Sequence, residues 1–212
     1  MKKFLAEFIG TFLMVFIGTG SVIVNSLHSN IGQFGIGISF GVAVSLSIFL
    51  FARFSGAHIN PAVSIAFFLK KQLKFNQLLG YILFQIFGAL LASGLLHLFF
   101  PSKPASLGAT IPSGSWQESF ILEFFLTFAL MLVILIVQKK NLSVLYASLI
   151  IGLTVGLEAY FFGPISGASM NPARSIAPAI VSLNINHLWL YVVATITGSC
   201  FALLPFCFKG DS

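Results

Sequence analysis

Two copies of one octapeptide concentrate the residues in this chain that could do chemistry. Ser55-Gly56-Ala57-His58-Ile59-Asn60-Pro61-Ala62 recurs as Ser166-Gly167-Ala168-Ser169-Met170-Asn171-Pro172-Ala173, and Arg174 follows the second copy directly. Asn is a favoured helix N-cap, and Pro suits the first helical position, where no backbone N–H is needed. Asn60-Pro61-Ala62 and Asn171-Pro172-Ala173 therefore read as two helix starts. Each Asn oxygen can accept from its own helix, which leaves the amide nitrogen as a donor. The chemistry on offer is hydrogen bonding to an uncharged guest. Bond-making chemistry finds no support, because no nucleophile–base set and no phosphate-binding glycine motif is present. The histidines His28, His58, His97 and His187 are dispersed, and Cys200 and Cys207 sit apart from them, so no metal-ligand cluster is spelled. The expectation is a protein that is not an enzyme and takes no cofactor. Cys200 and Cys207 lie about two helical turns apart, too far for a disulfide within one helix, and read as buried apolar residues.

The elements that hold these residues must be membrane helices. The chain has 212 residues, 58% hydrophobic and only 8% charged, whereas a soluble domain is roughly 25% charged. Six apolar runs are long enough to span a bilayer, over Phe4–Asn25, Phe34–Phe54, Leu78–Phe100, Ser119–Val137, Leu145–Phe162 and Leu188–Phe208. Met1-Lys2-Lys3 with its apolar run mimics a signal peptide, but the run contains Glu7 and reads as a retained first helix. Two shorter runs, Pro61–Leu69 and Pro172–Leu183, reach only about half of the hydrocarbon core and read as re-entrant half-helices. The polar stretch Pro101–Gln117 has the composition of an external loop. Lys2, Lys3, Arg53, Lys70, Lys71, Lys74, Lys139, Lys140 and Lys209 fall on one side of six spans, with Lys103 on the other. That puts both termini in the cytoplasm. The net charge of +6 follows this topology and forms no nucleic-acid stripe. Gly10, Gly18, Gly80, Gly88 and Gly152 suit close helix packing.

The octapeptide is part of a longer repeat. Glu7-Phe8-Ile9-Gly10-Thr11 matches Glu123-Phe124-Phe125-Leu126-Thr127, so each unit carries Glu-x-x-x-Thr in its first span. With three spans per unit, approximately residues 1–100 and 118–210, the second copy enters the bilayer inverted. The two helix starts then meet near the midplane with their positive ends together. The loops before them are not helical, and irregular backbone at that depth is tolerated only beside protein or water. The carbonyls of Gly56, Ala57, His58, Ile59, Gly167 and Ser169 are expected to form an acceptor ladder on either side of the Asn donors. Such an arrangement orients a file of water and repels cations and protons. His58 is expected to be satisfied locally, with a lumenal, pH-responsive role as the rival.

SGAHINPAVS and SGASMNPARS, with AEFIGTF at the start, resemble the aquaporin (major intrinsic protein) superfamily over essentially the whole chain. The resemblance implies an all-α membrane protein with six transmembrane helices and two re-entrant half-helices, one channel domain over 1–212, and a homotetramer in the cell membrane. It implies a passive pore for water and small uncharged solutes. Its outer selectivity filter falls on Phe40, Ala159, Ala168 and Arg174, and it makes Glu7 and Glu123 braces for the two loops. A buried arginine is functional by default, with an ion pair to a buried glutamate as the rival reading. Water-selective members carry histidine where this chain has Ala159. The wider ring, and GPISGASMNPARS, resemble the nodulin-26-like branch, whose members admit glycerol, urea or metalloid acids. Ser175 stands where glycerol facilitators carry Asp, and Tyr160 or Phe161 could refill the gap at Ala159. Strict water selectivity and urea or metalloid permeation stay open as alternatives. So does a secondary transporter, which also combines inverted repeats with intramembrane carboxylates. Glu158 has no repeat partner; a proton relay or a second loop brace are its two readings.

Overall fold

The computed structural model describes residues 1–207, so Phe208 at the end of the sixth expected span, and Lys209, lie outside it. Six helices are long and apolar enough to cross a membrane: α1 (Lys2–His28), α2 (Gly32–Ser55), α4 (Phe75–Phe99), α5 (Trp116–Lys139), α6 (Val144–Ser166), and the pair α8 (Leu188–Phe201) with α9 (Leu204–Cys207). Two short helices lie between them, α3 (Pro61–Leu69) and α7 (Pro172–Ser182). At 1.5 Å per residue they are about 14 and 16 Å long, half of a bilayer core.

Most spans run a turn further than their apolar runs, because caps and polar first turns extend a helix without extending its hydropathy. Ser115 accepts from the Glu118 N–H while Glu118 reaches back to the Ser115 N–H, which starts α5 three residues before Ser119. α6 continues through Pro164 to end on Gly167 in the left-handed conformation. The Pro101–Gln117 stretch is not wholly a surface loop. It dips inward, burying Leu107 completely and Thr110 nearly so.

The two halves pack by the same contacts. A Cβ at Gly88 on α4 would sit 2.2 Å from the Phe8 carbonyl of α1, and one at Gly198 on α8 would sit 2.2 Å from the Phe124 carbonyl of α5. Only glycine lets those backbones approach so closely. Gly37 and Gly41 of α2 meet Gly152 and Gly156 of α6 in the same way, joining the halves along one seam. Among the five glycines expected to aid packing, Gly18 makes room for a specific ring: a Cβ there would fall 2.2 to 2.8 Å from three atoms of Phe40.

Candidate functional site

Asn60 and Asn171 cap α3 and α7. Asn60 Oδ1 accepts from the Ala62 N–H at 2.9 Å, and Asn171 Oδ1 from the Ala173 N–H at 3.0 Å. Pro61 and Pro172 occupy the first helical positions. The amide nitrogens cross over: Asn60 Nδ2 donates to the Met170 carbonyl and Asn171 Nδ2 to the Ile59 carbonyl, each at 2.8 Å. The short helices therefore meet tip to tip, each cap strapping the loop that leads into the other.

Those loops are held in an unusual backbone. Ala57, Ile59, Ala168 and Met170 all have left-handed φ, between 42° and 54°. Each such non-glycine residue costs roughly 1 kcal/mol or more, and buried carboxylates over-determine the shape. Glu7 accepts from Ser55 Oγ, the His58 and Ile59 N–H groups, and Gln85 Nε2, at 2.6 to 2.9 Å. Glu123 accepts from Ser166 Oγ and the Ser169 and Met170 N–H groups at 2.7 to 3.0 Å. Tyr81 and Tyr191 hydroxyls donate to the Ser55 and Ser166 carbonyls at 2.7 and 2.6 Å. Gln85 and the two tyrosines were missed in the sequence. They lie in plain apolar runs, and the spacing from Tyr81 to Gly88 repeated from Tyr191 to Gly198 was the available signal.

A cavity of about 520 Å³ runs from a mouth at Gln72, Gln138 and Asn141 to Asn60, Asn171, Ala168, Phe40 and Arg174. The mouth is tied by Lys70 Nζ to Gln138 Oε1 at 3.4 Å and Gln138 Nε2 to Gln72 Oε1 at 3.0 Å. One wall is aliphatic and the other is the two loops. Gly56, Ala57, His58, Ile59 and Ser169 line it, but Gly167 does not: it caps α6 and turns toward Thr110. The expected carbonyl ladder is further altered at Ile59, whose carbonyl is engaged by Asn171. His58 both lines the cavity and is satisfied locally, with Nδ1 3.1 Å from Ser64 Oγ and its ring stacked 4.6 Å from Phe67.

At the inner end of the cavity the Arg174 guanidinium carbon lies 5.0 Å from the Phe40 ring centroid. Arg174 donates from an Nη to the Gly108 carbonyl at 2.6 Å. The rival expectation of an ion pair with a buried glutamate is not what the side chain does; a backbone carbonyl holds it. Gly108 belongs to a left-handed turn packed on Thr19. Thr110 beside it donates to Ser175 Oγ at 2.8 Å, which in turn lies 2.6 Å from Ser169 Oγ. Ala159 and Ala168 are buried, and the Ala159 carbonyl accepts from Gln33 Nε2 at 2.6 Å. Tyr160 and Phe161, expected as possible fillers of the gap at Ala159, are 38% and 60% exposed on the outer face of α6. Successive residues on a helix point about 100° apart, so neither can follow Ala159 inward. Glu158 makes no bond to the second loop, so the bracing role considered for it is not the one it plays.

Six spans, two short helices joined at their caps, and a cavity ending in an arginine and an aromatic ring define a membrane channel. The Major intrinsic protein family model matches residues 1–206. Aquaporin NIP3-1 of Arabidopsis thaliana is 41% identical over 208 residues, which cover 94% of this chain and 64% of that protein's length. Nodulin-26 of Glycine max is 37% identical over 201 residues, 94% of this chain and 74% of its own. The X-ray structure of the aquaglyceroporin from Plasmodium falciparum matches with a TM-score of 0.88 at 28% identity, over 97% of this chain and 94% of that one. The chain belongs to the major intrinsic protein family. It is a channel for water and small uncharged solutes, not an enzyme.

Proposed function

We propose that the protein conducts water together with glycerol-sized neutral solutes through this cavity, and excludes protons and ions. The meeting of Asn60 and Asn171 at the inner end of a cavity gated by Phe40 and Arg174 carries the reading. Each Asn amide has two hydrogens; one straps the opposite loop, and the other is available to a guest. The α3 and α7 N-termini and the Arg174 charge oppose cations at the same place. Tyr160 and Phe161 lie on the outer face of α6, so neither fills the space that a small residue at Ala159 leaves near the filter. Ser175 does not narrow this conclusion: it is buried among Thr110 and Ser169, outside the cavity wall, so an Asp at that position is not needed to shape the lumen. The nodulin-26-type relatives and the aquaglyceroporin neighbour support the same solute range.

The proposal includes a single inverted-repeat channel domain, both termini in the cytoplasm of a cell-membrane protein, and a homotetramer with one pore per protomer. Lys70 and Lys71 share an end of the molecule with Lys139 and Lys140, joined there by the Lys70–Gln138 bond, which supports the orientation. Stopped-flow light scattering of proteoliposomes tests the transport reading. Rapid shrinkage in hyperosmotic sucrose and re-swelling in glycerol are the expected results. Water flux without re-swelling in glycerol or urea would reduce the protein to a strict water channel, and saturable, ion-coupled flux would make it a transporter.

A further inference from the structure

Two helices end in the same kind of turn beside the cavity mouth. After α3, Lys71 takes a left-handed φ of 59°, and the Lys71 and Gln72 N–H groups donate back to the Phe68 and Phe67 carbonyls at 2.8 and 2.9 Å. After α5, Asn141 takes a φ of 48°, and the Asn141 and Leu142 N–H groups donate to the Gln138 and Val137 carbonyls at 3.0 and 3.4 Å. Such turns satisfy the last carbonyls of a helix and fix the residues they carry. Lys70 Nζ to Gln138 Oε1 and Gln138 Nε2 to Gln72 Oε1 lock one turn to the other. Lys70, Lys71, Lys139 and Lys140 are thereby gathered on one patch, with Lys74 following as the N-cap of α4.

Among the described residues, no exposed carboxylate shares this end of the molecule. Glu7, Glu123 and Glu158 are buried, and Glu118 stands in the first turn of α5, at the opposite end of that helix from Lys139. The positive-inside rule accounts for the side on which the lysines lie, and the helix dipoles favour cations in the last turns. Neither neutralises like charges that two locked turns hold together. An anion from outside the chain does, and the apolar surface next to the lysines identifies its source. Leu69 before the α3 turn and Phe75 after it are exposed, and the Phe68 and Phe75 rings bracket the turn 6.0 Å apart. Phe75 begins a ridge on α4 that continues through Leu79, Leu83, Phe87 and Leu91, all exposed at four-residue spacing. A soluble anion would use the lysines alone. A phospholipid meets both surfaces, its phosphate on the lysines and its chain on the ridge.

We infer that this patch is a binding site for an anionic phospholipid, with the phosphate among Lys70, Lys71, Lys74, Lys139 and Lys140 and an acyl chain along the α4 ridge that starts at Phe75. Each lysine near an anionic headgroup contributes about fivefold in affinity. A zwitterionic headgroup brings its own ammonium to the patch and gains less. The site stands whether the pore admits water alone or glycerol as well.

The test is native mass spectrometry of the full-length protein from detergent, titrated with phosphatidylglycerol or phosphatidylcholine of the same acyl chains. Wild type is expected to bind phosphatidylglycerol about tenfold more tightly. K71Q/K74Q/K139Q/K140Q removes four exposed charges and leaves Lys70 at the mouth. It is expected to bind the two lipids within about twofold of each other, while its water permeability in phosphatidylcholine vesicles shows that it folds. K71R/K74R/K139R/K140R keeps the charge and is expected to keep the preference. Inorganic phosphate at the same concentrations is expected not to displace the lipid. Should the fourfold glutamine variant fail to fold, K71Q/K74Q and K139Q/K140Q serve in its place, each lowering the preference about threefold. No headgroup preference in wild type, or a preference that survives the glutamine substitutions, would overturn the inference. Displacement by inorganic phosphate would overturn it as well, reducing the patch to a site for free anions.

Discussion

Asn60 and Asn171 hold each other's approach. The residue before each asparagine lends its carbonyl to the other's amide, Met170 to Asn60 and Ile59 to Asn171, both at 2.8 Å. Each side chain thus caps its own helix through oxygen and ties the opposite loop through nitrogen, so neither half of the site is complete alone. The arrangement explains how four non-glycine residues stay in left-handed conformations. The loops are fixed from below by carboxylates and across the centre by amides.

This reciprocity predicts coupling. Asn60→Ala and Asn171→Ala each remove a cap, worth about 1 kcal/mol, and a cross-loop bond worth about 0.5–1.5 kcal/mol. Both single variants should lower the unfolding midpoint in detergent and cut water permeability in proteoliposomes. The double variant should lose less stability than the two singles combined, by about 0.5–3 kcal/mol, because the first substitution already loosens both loops. Strict additivity in a thermal or denaturant series would show that the two straps act independently.

The carboxylates predict an asymmetry between halves. Glu7 has Gln85 as a side-chain donor, and Gln85 also donates to Ser64 at 2.9 Å. The equivalent residue on α8, Thr195, bonds the Tyr191 carbonyl of its own helix instead. Gln85→Leu should therefore destabilise by about 1–3 kcal/mol through the two buried hydrogen bonds it removes from Glu7 and Ser64. Thr195→Val should change stability by less than about 1 kcal/mol, since a helix carbonyl keeps its backbone bond. Equal effects in detergent melts would mean that Gln85 is only packing.

The plan of this protein was legible because it is written in hydropathy and doubled motifs. Six spans, two half-helices and the caps at Asn60 and Asn171 each follow from residue type and spacing. Apart from the Glu7 and Glu123 braces that the family resemblance implied, what could not be read was contact that depends on a neighbouring helix. Gln85 and Tyr81 look like incidental polar residues in an apolar run until α4 is packed on α1. Gly108 sits in a stretch with loop composition, and nothing local shows that its carbonyl receives Arg174. The fillers proposed at Ala159 failed for the same reason. Which way Tyr160 and Phe161 point is set by the phase of α6 against α2, and that phase is fixed by Gly37, Gly41, Gly152 and Gly156.

Arg174 predicts the boundary between neutral and charged traffic. Arg174→Val removes the fixed charge facing the guest and the donor to Gly108. Glycerol permeability should rise, and a proton or cation leak should appear in a pH-dye or conductance assay, with water permeability retained. Arg174→Lys keeps the charge but not the planar fork, so it should block the leak while still freeing the Gly108 turn. A leak-free Arg174→Val channel would place the cation barrier wholly at the helix starts.

The width of the filter is set on one side by a glycine. Phe40 rests where a Cβ of residue 18 would be, and Gly18→Ala would place a methyl carbon within 2.2 to 2.8 Å of its ring. Overpacking of this kind costs about 1–3 kcal/mol, and the ring can relieve it by moving toward Arg174, into the cavity that both residues line. Gly18→Ala should thus lower glycerol permeability more than water permeability, as should Ala159→His, which replaces a small filter residue with a larger one. Trimming the ring separates narrowing from misfolding. Gly18→Ala combined with Phe40→Leu should regain glycerol flux if the ring was displaced, and should remain inactive if α1 and α2 had come apart.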